Sequence, residues 1–265
     1  MFTVKIQQIR FIMVLDINKI HLGECLELMK EIPDQSINMI LCDLPYGTSQ
    51  NKWDIPINLD DLWEQYRRIV KKNAAIVLTA IQPFASQLVV SNFKWFKYDL
   101  IWKKNKSSGF LNANKMPLRQ HESILVFYQK MPTYNPQKTF GHKPVNSFTK
   151  NKTSTNYGKI KLGLKGGGQT DRHPTSVLEI PVLNNDSKER IHPTQKPVEL
   201  FEWLIKTYTN ENELVLDNCA GSMTTAVACN NTKRNWICIE NDPVFCEAGL
   251  RRLENQNGHS SVLSR

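Results

Sequence analysis

Between Lys19 and Tyr128, short continuous apolar runs alternate with stretches of helical spacing, and this rhythm leaves few architectures open. Ile37 to Cys42 is the clearest run. A strand that is apolar at every position has both faces covered, the condition of a parallel sheet held between helical layers. Lys19 to Leu22, Ala74 to Ala80, Phe96 to Lys103 and Ser123 to Tyr128 repeat the signal. Cys25 to Ile32, with Leu26, Met29 and Ile32 at helical spacing, Leu59 to Lys71 and Phe84 to Ser91 read as the intervening helices. The rhythm resumes after His192. It predicts a helix to Tyr208, a strand from Leu214 to Leu216, a helix from Ser222 to Cys229, a strand from Trp236 to Ile239 and a closing helix from Asp242 to Leu253. The expected fold is α/β, a mostly parallel sheet with helices on both faces.

Between the two regular stretches the composition changes. Residues 130–190 are rich in Lys, Thr, Asn, Gly and Pro, with Gly166-Gly167-Gly168 near the middle. Sixty residues without periodicity is long for a linker inside a domain, so this reads as an inserted, loop-rich module. The division is therefore an extension at 1–16, a first half at 17–129, the insertion at 130–190, a second half at 191–256 and a tail at 257–265. Met13 offers an alternative start.

The 265 residues carry a net charge of +9, a balance that favours a polyanionic partner. None of the six cysteines forms a C-x-x-C pair, and most lie in apolar runs. Buried reduced thiols fit this pattern better than disulfides or a zinc site, and no metal is expected. No apolar run reaches the roughly 20 residues needed to cross a bilayer. A cytoplasmic protein is expected.

Two constellations carry chemistry. In Asp217-Asn218-Cys219-Ala220-Gly221-Ser222-Met223-Thr224-Thr225 a strand ends in an acid, turns at a glycine and enters a helix. Such a turn lets backbone approach a ligand, and the next strand ends in Glu240, placed for ribose hydroxyls. In Asp43-Leu44-Pro45-Tyr46 an acid, a proline and an aromatic residue sit at a strand end. Tyr46 can stack on a flipped base, while Asp43 and the Leu44 carbonyl accept hydrogen bonds from its amino group.

Together these motifs resemble the β group of the amino-group DNA methyltransferases, which carry a catalytic [Asp/Asn/Ser]-Pro-Pro-Tyr loop and an Asp-x-Phe-x-Gly-x-Gly cofactor loop. The order matches that group: catalytic loop, insertion, cofactor loop. Gly23-Glu24-Cys25, Trp102-Lys103-Lys104, His121-Glu122 and His192 to Pro197 also fit, so the resemblance covers residues 19–254. It implies a Rossmann-like methyltransferase sheet of the seven-stranded type with one antiparallel strand near its edge. It implies S-adenosyl-L-methionine as cofactor and residues 130–190 as the target-recognition region. Asp43, Leu44, Pro45 and Tyr46 would be catalytic. Asp217, Gly221 and Ser222 would line the methionine part of the cofactor, and Asp43, Asn218, Ala220, Thr224 and Asn241 would also belong to its binding site. Glu240 would meet the ribose, Glu24 the adenine, and Lys196, with its neighbours, the methionine carboxylate.

The chain departs from the pattern at three places. Leu44 replaces a proline but keeps the needed carbonyl; Asn218-Cys219 replaces Pro-Phe; Met223 replaces the second glycine. The Met223 side chain either crowds the cofactor or packs under the helix.

The implied reaction is direct methyl transfer to N6 of adenine in double-stranded DNA after base flipping. N4 of cytosine, an RNA or small-molecule amino group, and an inactive DNA-binding relative stand as alternatives. DNA contacts are expected from Lys103, Lys104, Lys106, Lys138, Lys143, Lys150, Lys152, Lys159, Lys161 and Lys165, through phosphates. The family setting also admits a homodimer and a cognate restriction enzyme.

Overall fold

The computed structural model describes residues 15–47, 54–150, 163–184, 191 and 194–260. They divide into two compact units, one of residues 1–135 with 176–265 and one of residues 136–175.

The first unit is built on an eight-stranded sheet. In chain order its strands are β1 (Lys19–Leu22), β2 (Ile37–Cys42), β3 (Val70–Ala80), β4 (Phe96–Ser108), β5 (Arg119–Phe127), β8 (Val177–Glu179), β9 (Leu214–Asp217) and β10 (Asn235–Glu240). Their spatial order is β1-β10-β9-β2-β3-β5-β4-β8. Every pairing is parallel except those of β5, which runs against both β3 and β4. The expected antiparallel strand is therefore present, with β4 and β8 lying outside it. β8 falls in the segment whose composition reads as loop. It pairs Leu178 with Trp102, and the Trp102 indole donates to the Ile180 carbonyl at 2.8 Å.

The central strands alternate their side chains between two cores. Ile40, Cys42, Ile76, Leu78, Phe127, Leu216 and Ile239 face one side with Met29, Leu62, Trp63, Tyr66 and Leu88. Met39, Leu41, Val77, Val126, Val215 and Cys238 face the other with Leu200, Phe201, Leu204 and Leu253. This is the two-sided burial that the continuous apolar runs require.

Helices α1 (Cys25–Met29), α2 (Leu59–Ile69) and α3 (Phe84–Ser91) supply the first face, and α4 (Val198–Tyr208), α5 (Thr224–Asn231) and α6 (Pro243–Ser260) the second. Asn58 caps α2, its side chain accepting from the Asp60 and Asp61 amides at 2.9 and 3.3 Å. The buried residues Leu62, Trp63, Tyr66 and Ile69 then recur at helical spacing. α1 stops at Met29, short of the Ile32 expected. Arg68 reaches over from α2 and donates to the Met29 and Ile32 carbonyls, both at 2.7 Å, so these acceptors are satisfied without further helix.

In the second unit β6 (Phe148–Lys150) pairs antiparallel with β7 (Leu164–Gly166), and Thr139 bridges Arg172. Lys138 pairs with Asp171 at 2.8 Å.

Candidate active site

The strand directions bring the chemistry to one edge. β1, β10, β9, β2 and β3 are parallel, so their C-terminal ends share an edge, and the antiparallel β5 begins there. Along that edge stand Glu24 after β1, Glu240 at the end of β10, the Asp217–Thr224 turn after β9, Asp43–Tyr46 after β2, Thr79 near the end of β3 and Glu122 in β5. In an open α/β sheet this is the edge where ligands bind.

Asp43 is held from three sides. Its Oδ1 accepts from the Tyr46 hydroxyl at 2.6 Å and from the Thr79 hydroxyl. Its Oδ2 accepts from Lys196 Nζ at 2.5 Å. A carboxylate offers about four acceptor directions, and these partners use three. Lys196 also lies 3.5 Å from Glu122 Oε2, and Glu122 Oε1 in turn pairs with Lys104. The result is a partly buried chain of alternating charge, Asp43–Lys196–Glu122–Lys104. Burial works against the Lys196 ammonium, but Asp43 and Glu122 together outweigh it and raise its pKa. Burial likewise opposes ionisation of Glu122, and Lys196 and Lys104 overcome it, leaving its pKa lowered. Both groups are therefore charged near neutrality.

The Tyr46 ring is half-buried and tilted against Phe84, with centroids 5.4 Å apart. Burial, then the charge of Asp43, pushes its phenol well above its ordinary pKa, so it stays a donor. Leu44 turns its side chain into the core. Pro45 is partly exposed. The preceding Cys42 is no nucleophile, because burial pushes its thiol up to about 12.

The second cluster centres on Gly221. Its amide donates to Glu240 Oε2 at 2.7 Å, while Glu240 Oε1 accepts from the Asp242 amide at 2.9 Å. Leu22 pairs in register with Glu240, and Glu24 follows two residues beyond that end of β1. Glu24 caps α1, accepting from the Glu27 amide at 2.9 Å. Asn241 is exposed. Ser222 and Thr224 bond each other at 3.0 Å, and Thr224 donates to the Lys196 carbonyl at 3.3 Å. That bond ties the cofactor-type turn to the strap carrying Lys196. Ala220 is buried, its amide bonded to the Ile239 carbonyl at 3.0 Å. The Asn218 side chain points inward and accepts from the Tyr66 hydroxyl at 2.6 Å, so it serves packing of the turn.

Met223 holds a left-handed conformation, φ 58°, and its side chain is fully buried. It belongs to the core beneath α6, where Gly249 makes room: a Cβ at Gly249 would stand 2.3 Å from Met223 Cγ. Of the two expectations for Met223, the structure shows packing under a helix. Arg252, one turn further along α6, donates to the Ser222 carbonyl at 2.6 Å.

Asp217 is buried under this turn. Its Oδ2 accepts from the Thr225 hydroxyl at 2.5 Å and its Oδ1 from the Cys219 amide at 3.2 Å. Burial is the largest influence and raises its pKa to about 6 despite those donors. The folded state thus holds this proton more tightly than the unfolded chain, whose aspartates titrate near 3.9. The group costs nothing below about pH 4, its cost grows as pH rises to about 6, and it levels off above that at on the order of 3 kcal/mol. Asp217→Asn keeps the shape without the charge. Its stability relative to wild type, from urea unfolding, should rise between pH 4 and pH 8; a difference that stays flat over that range would contradict a raised Asp217.

The expected DNA-facing lysines divide. Lys104 is built into the charge chain and lies 4.9 Å over the Trp102 ring. Lys103 pairs with Glu179 at 2.9 Å, and Lys106 donates to Asn184 at 2.9 Å. Lys143, Lys150 and Lys165 are exposed, while Lys138 is half-buried in its pair with Asp171. Lys152, Lys159 and Lys161 lie outside the described residues, as do His192 and Pro193. Thr79 was not anticipated as part of the site, nor was the Lys196–Glu122 link. The only signal for either was a position at a strand end, which becomes informative once Thr79 pairs with Ile124 and Ala80 with Ser123.

All six cysteines are free thiols. No helix among the described residues is long and apolar enough to cross a membrane.

Comparison with known proteins gives the family of the chain and likenesses of its fold. A family model described as DNA methylase matches residues 37–251. The type II methyltransferase M.BglII of Bacillus subtilis is 26% identical over 256 residues, covering 91% of this chain and 70% of that protein. The DNA adenine methyltransferase YhdJ of Escherichia coli is 27% identical over 262 residues, 90% of this chain and 83% of the relative. Among solved structures, the M1.HpyAVI–SAM complex superposes with a TM-score of 0.59 at 22% identity, over 89% of this chain and 98% of the other. The PvuII cytosine-N4-specific DNA methyltransferase does so with a TM-score of 0.65 at 16% identity, over 90% and 87%. These two likenesses are likenesses of fold.

Proposed function

The chain belongs to the DNA methylase family, and from that premise we propose that it transfers a methyl group from S-adenosyl-L-methionine to N6 of adenine in double-stranded DNA. The observation that carries the reading is Asp43, fixed as an acceptor by Tyr46, Thr79 and Lys196 on the same sheet edge as the Gly221 turn.

The residues present suit the cofactor. Glu240 at the end of β10 and Glu24 just after the adjacent β1 are carboxylates that can accept from ribose hydroxyls and from an adenine amino group. The Gly221–Ser222 backbone, at φ 48° for Gly221, can be approached closely. Bound there, S-adenosyl-L-methionine supplies an electrophilic methyl on a sulfonium. The Lys196 ammonium is engaged by two carboxylates of the chain itself, so we assign it to Asp43 rather than to the cofactor.

The exocyclic nitrogen of adenine is a weak nucleophile because its lone pair is delocalised into the ring. An N–H donated to the remaining acceptor direction of Asp43 Oδ2, and the other to the Leu44 carbonyl, would favour a tetrahedral nitrogen with its lone pair exposed. Lys196, Tyr46 and Thr79 hold the Asp43 carboxylate in one orientation, so little reorganisation is left for the reacting state. Tyr46, its hydroxyl spent on Asp43, presents its half-buried ring to a flipped base. The product nitrogen sheds its proton after transfer, so Asp43 need not be a strong base. The preference for adenine is supported by an Asp at the first loop position and by the likeness to YhdJ. Within residues 130–190, the polar, lysine-bearing stretch outside β8 is assigned to target recognition on that composition.

The test is incubation with isotopically labelled S-adenosyl-L-methionine and unmethylated genomic DNA or RNA, followed by nucleoside analysis. N6-methyladenine from DNA is expected. N4-methylcytosine would overturn the choice of base, and label confined to RNA would overturn the choice of polymer.

A further inference from the structure

The β4–β5 hairpin continues past the active edge. Lys104 bonds Glu122 at the site, and β4 runs on from there to Ser108, which pairs with Arg119. Four further residues of extended chain reach about 13 Å beyond the charge chain. At the tip, Gly109 takes φ 90° and a 3-10 turn follows at Phe110–Asn112. The tip is internally bonded: the Asn112 amide donates to the Gly109 carbonyl at 2.9 Å, Lys115 to Asn112 at 2.8 Å and Met116 to Asn112 at 3.0 Å. It thus has a definite shape. That shape presents Leu111 wholly exposed, Phe110 69% exposed and Met116 57% exposed.

Charge sets the partner. From Leu100 through His121 the sequence carries Lys103, Lys104, Lys106, Lys115 and Arg119 and no acidic residue. Lys106, Lys115 and Arg119 are exposed around the apolar tip. Cations flanking a bare aromatic–aliphatic pair match a polyanion whose interior is a stack of flat rings. Side chains such as Phe and Leu can be inserted between base steps and unstack them. An uncharged protein groove would not call for the surrounding cations.

We propose that Phe110 and Leu111 form a wedge that enters the duplex where the target nucleotide has been drawn out, filling the vacated stack while Lys106, Lys115 and Arg119 hold the adjoining phosphates. The proposal rests on the DNA reading and adds a second contact to the one base in the Asp43 pocket. It gives flipping a push from the duplex side.

The methylation assay above, extended by sequencing, first yields the modified motif. Absence of any modified DNA would sink the DNA reading itself. With the motif known, a duplex containing it is prepared with the target either paired or mispaired. Phe110→Ser with Leu111→Ser should lower turnover on the paired duplex at least about tenfold, because opening a paired step costs a few kcal/mol. On the mispaired duplex, already open, turnover should return to within about threefold of wild type. The salt slope of binding should be unchanged, whereas Lys115→Ala with Arg119→Ala should flatten it by about 2. Wild-type turnover on the paired duplex would overturn the wedge. An equal loss on both duplexes would overturn it as well, by showing that the tip does not act in opening the pair.

Discussion

Asp43→Ala should reduce methyl transfer by about a thousandfold, the upper range for removing a preorganised group at a reacting centre. The size of the effect comes from what the carboxylate does at once. It accepts from Tyr46, Thr79 and Lys196, and it is the acceptor assigned to the target amino group. Without it, Lys196 keeps only Glu122 as a counter-charge, and the Tyr46 hydroxyl loses its 2.6 Å partner. The Gly221 amide on Glu240 is untouched, so cofactor affinity should change by much less than turnover. Single-turnover transfer and calorimetric titration with S-adenosyl-L-methionine separate the two quantities. Residual transfer within tenfold of wild type would remove Asp43 from the chemistry. A loss of cofactor binding as large as the loss of transfer would make it a scaffold residue.

Gly249→Ala should weaken cofactor binding although the residue lies on a helix away from the sheet edge. The added methyl would stand 2.3 Å from Met223 Cγ, and Met223 is fully buried with nowhere to retreat. Overpacking of this kind costs about 1–3 kcal/mol, and here the backbone able to yield is the turn holding Gly221 and Ser222. A cofactor Kd raised by about tenfold or more is expected. The companion change Met223→Ala removes the clashing Cγ, so the double variant should recover most of the affinity. Recovery identifies a steric relay; an equal or additive deficit in the double variant would rule it out.

Much of the architecture is readable from local pattern because the central strands are covered on both faces. Ile37–Cys42 and Ala74–Ala80 could hardly be anything else, and Asp43 and Asp217 follow as their ends or neighbours. The parts that escape are those whose reason lies elsewhere in the chain. β8 buries a single residue, Leu178, between two exposed ones, too weak a pattern to rise above its polar surroundings. The outer half of β4 is Lys-Asn-Lys-Ser-Ser, held by pairing rather than by burial. Met223 packs inward because Gly249, distant in the chain, leaves room for it. The charge chain joins Asp43, Lys104, Glu122 and Lys196 from four separate segments, so no local window contains it. Residue type marked the ends of that chain, but only strand register shows that they meet.

The strand order also dictates when during synthesis the enzyme can come into being. Among the described residues β1 sits at the sheet edge with β10 as its sheet neighbour, and β2 is flanked by β9. Once made, β1 must therefore wait for roughly 200 residues before its partner follows. At 5–20 residues per second that is about 10–40 s. Through that interval the Asp43 loop has only one of its flanking strands, and the pocket opposite it has no floor. A nascent or truncated chain ending before β9 thus lacks the Gly221 turn and Glu240, and both arrive only with the strands that complete the middle of the sheet.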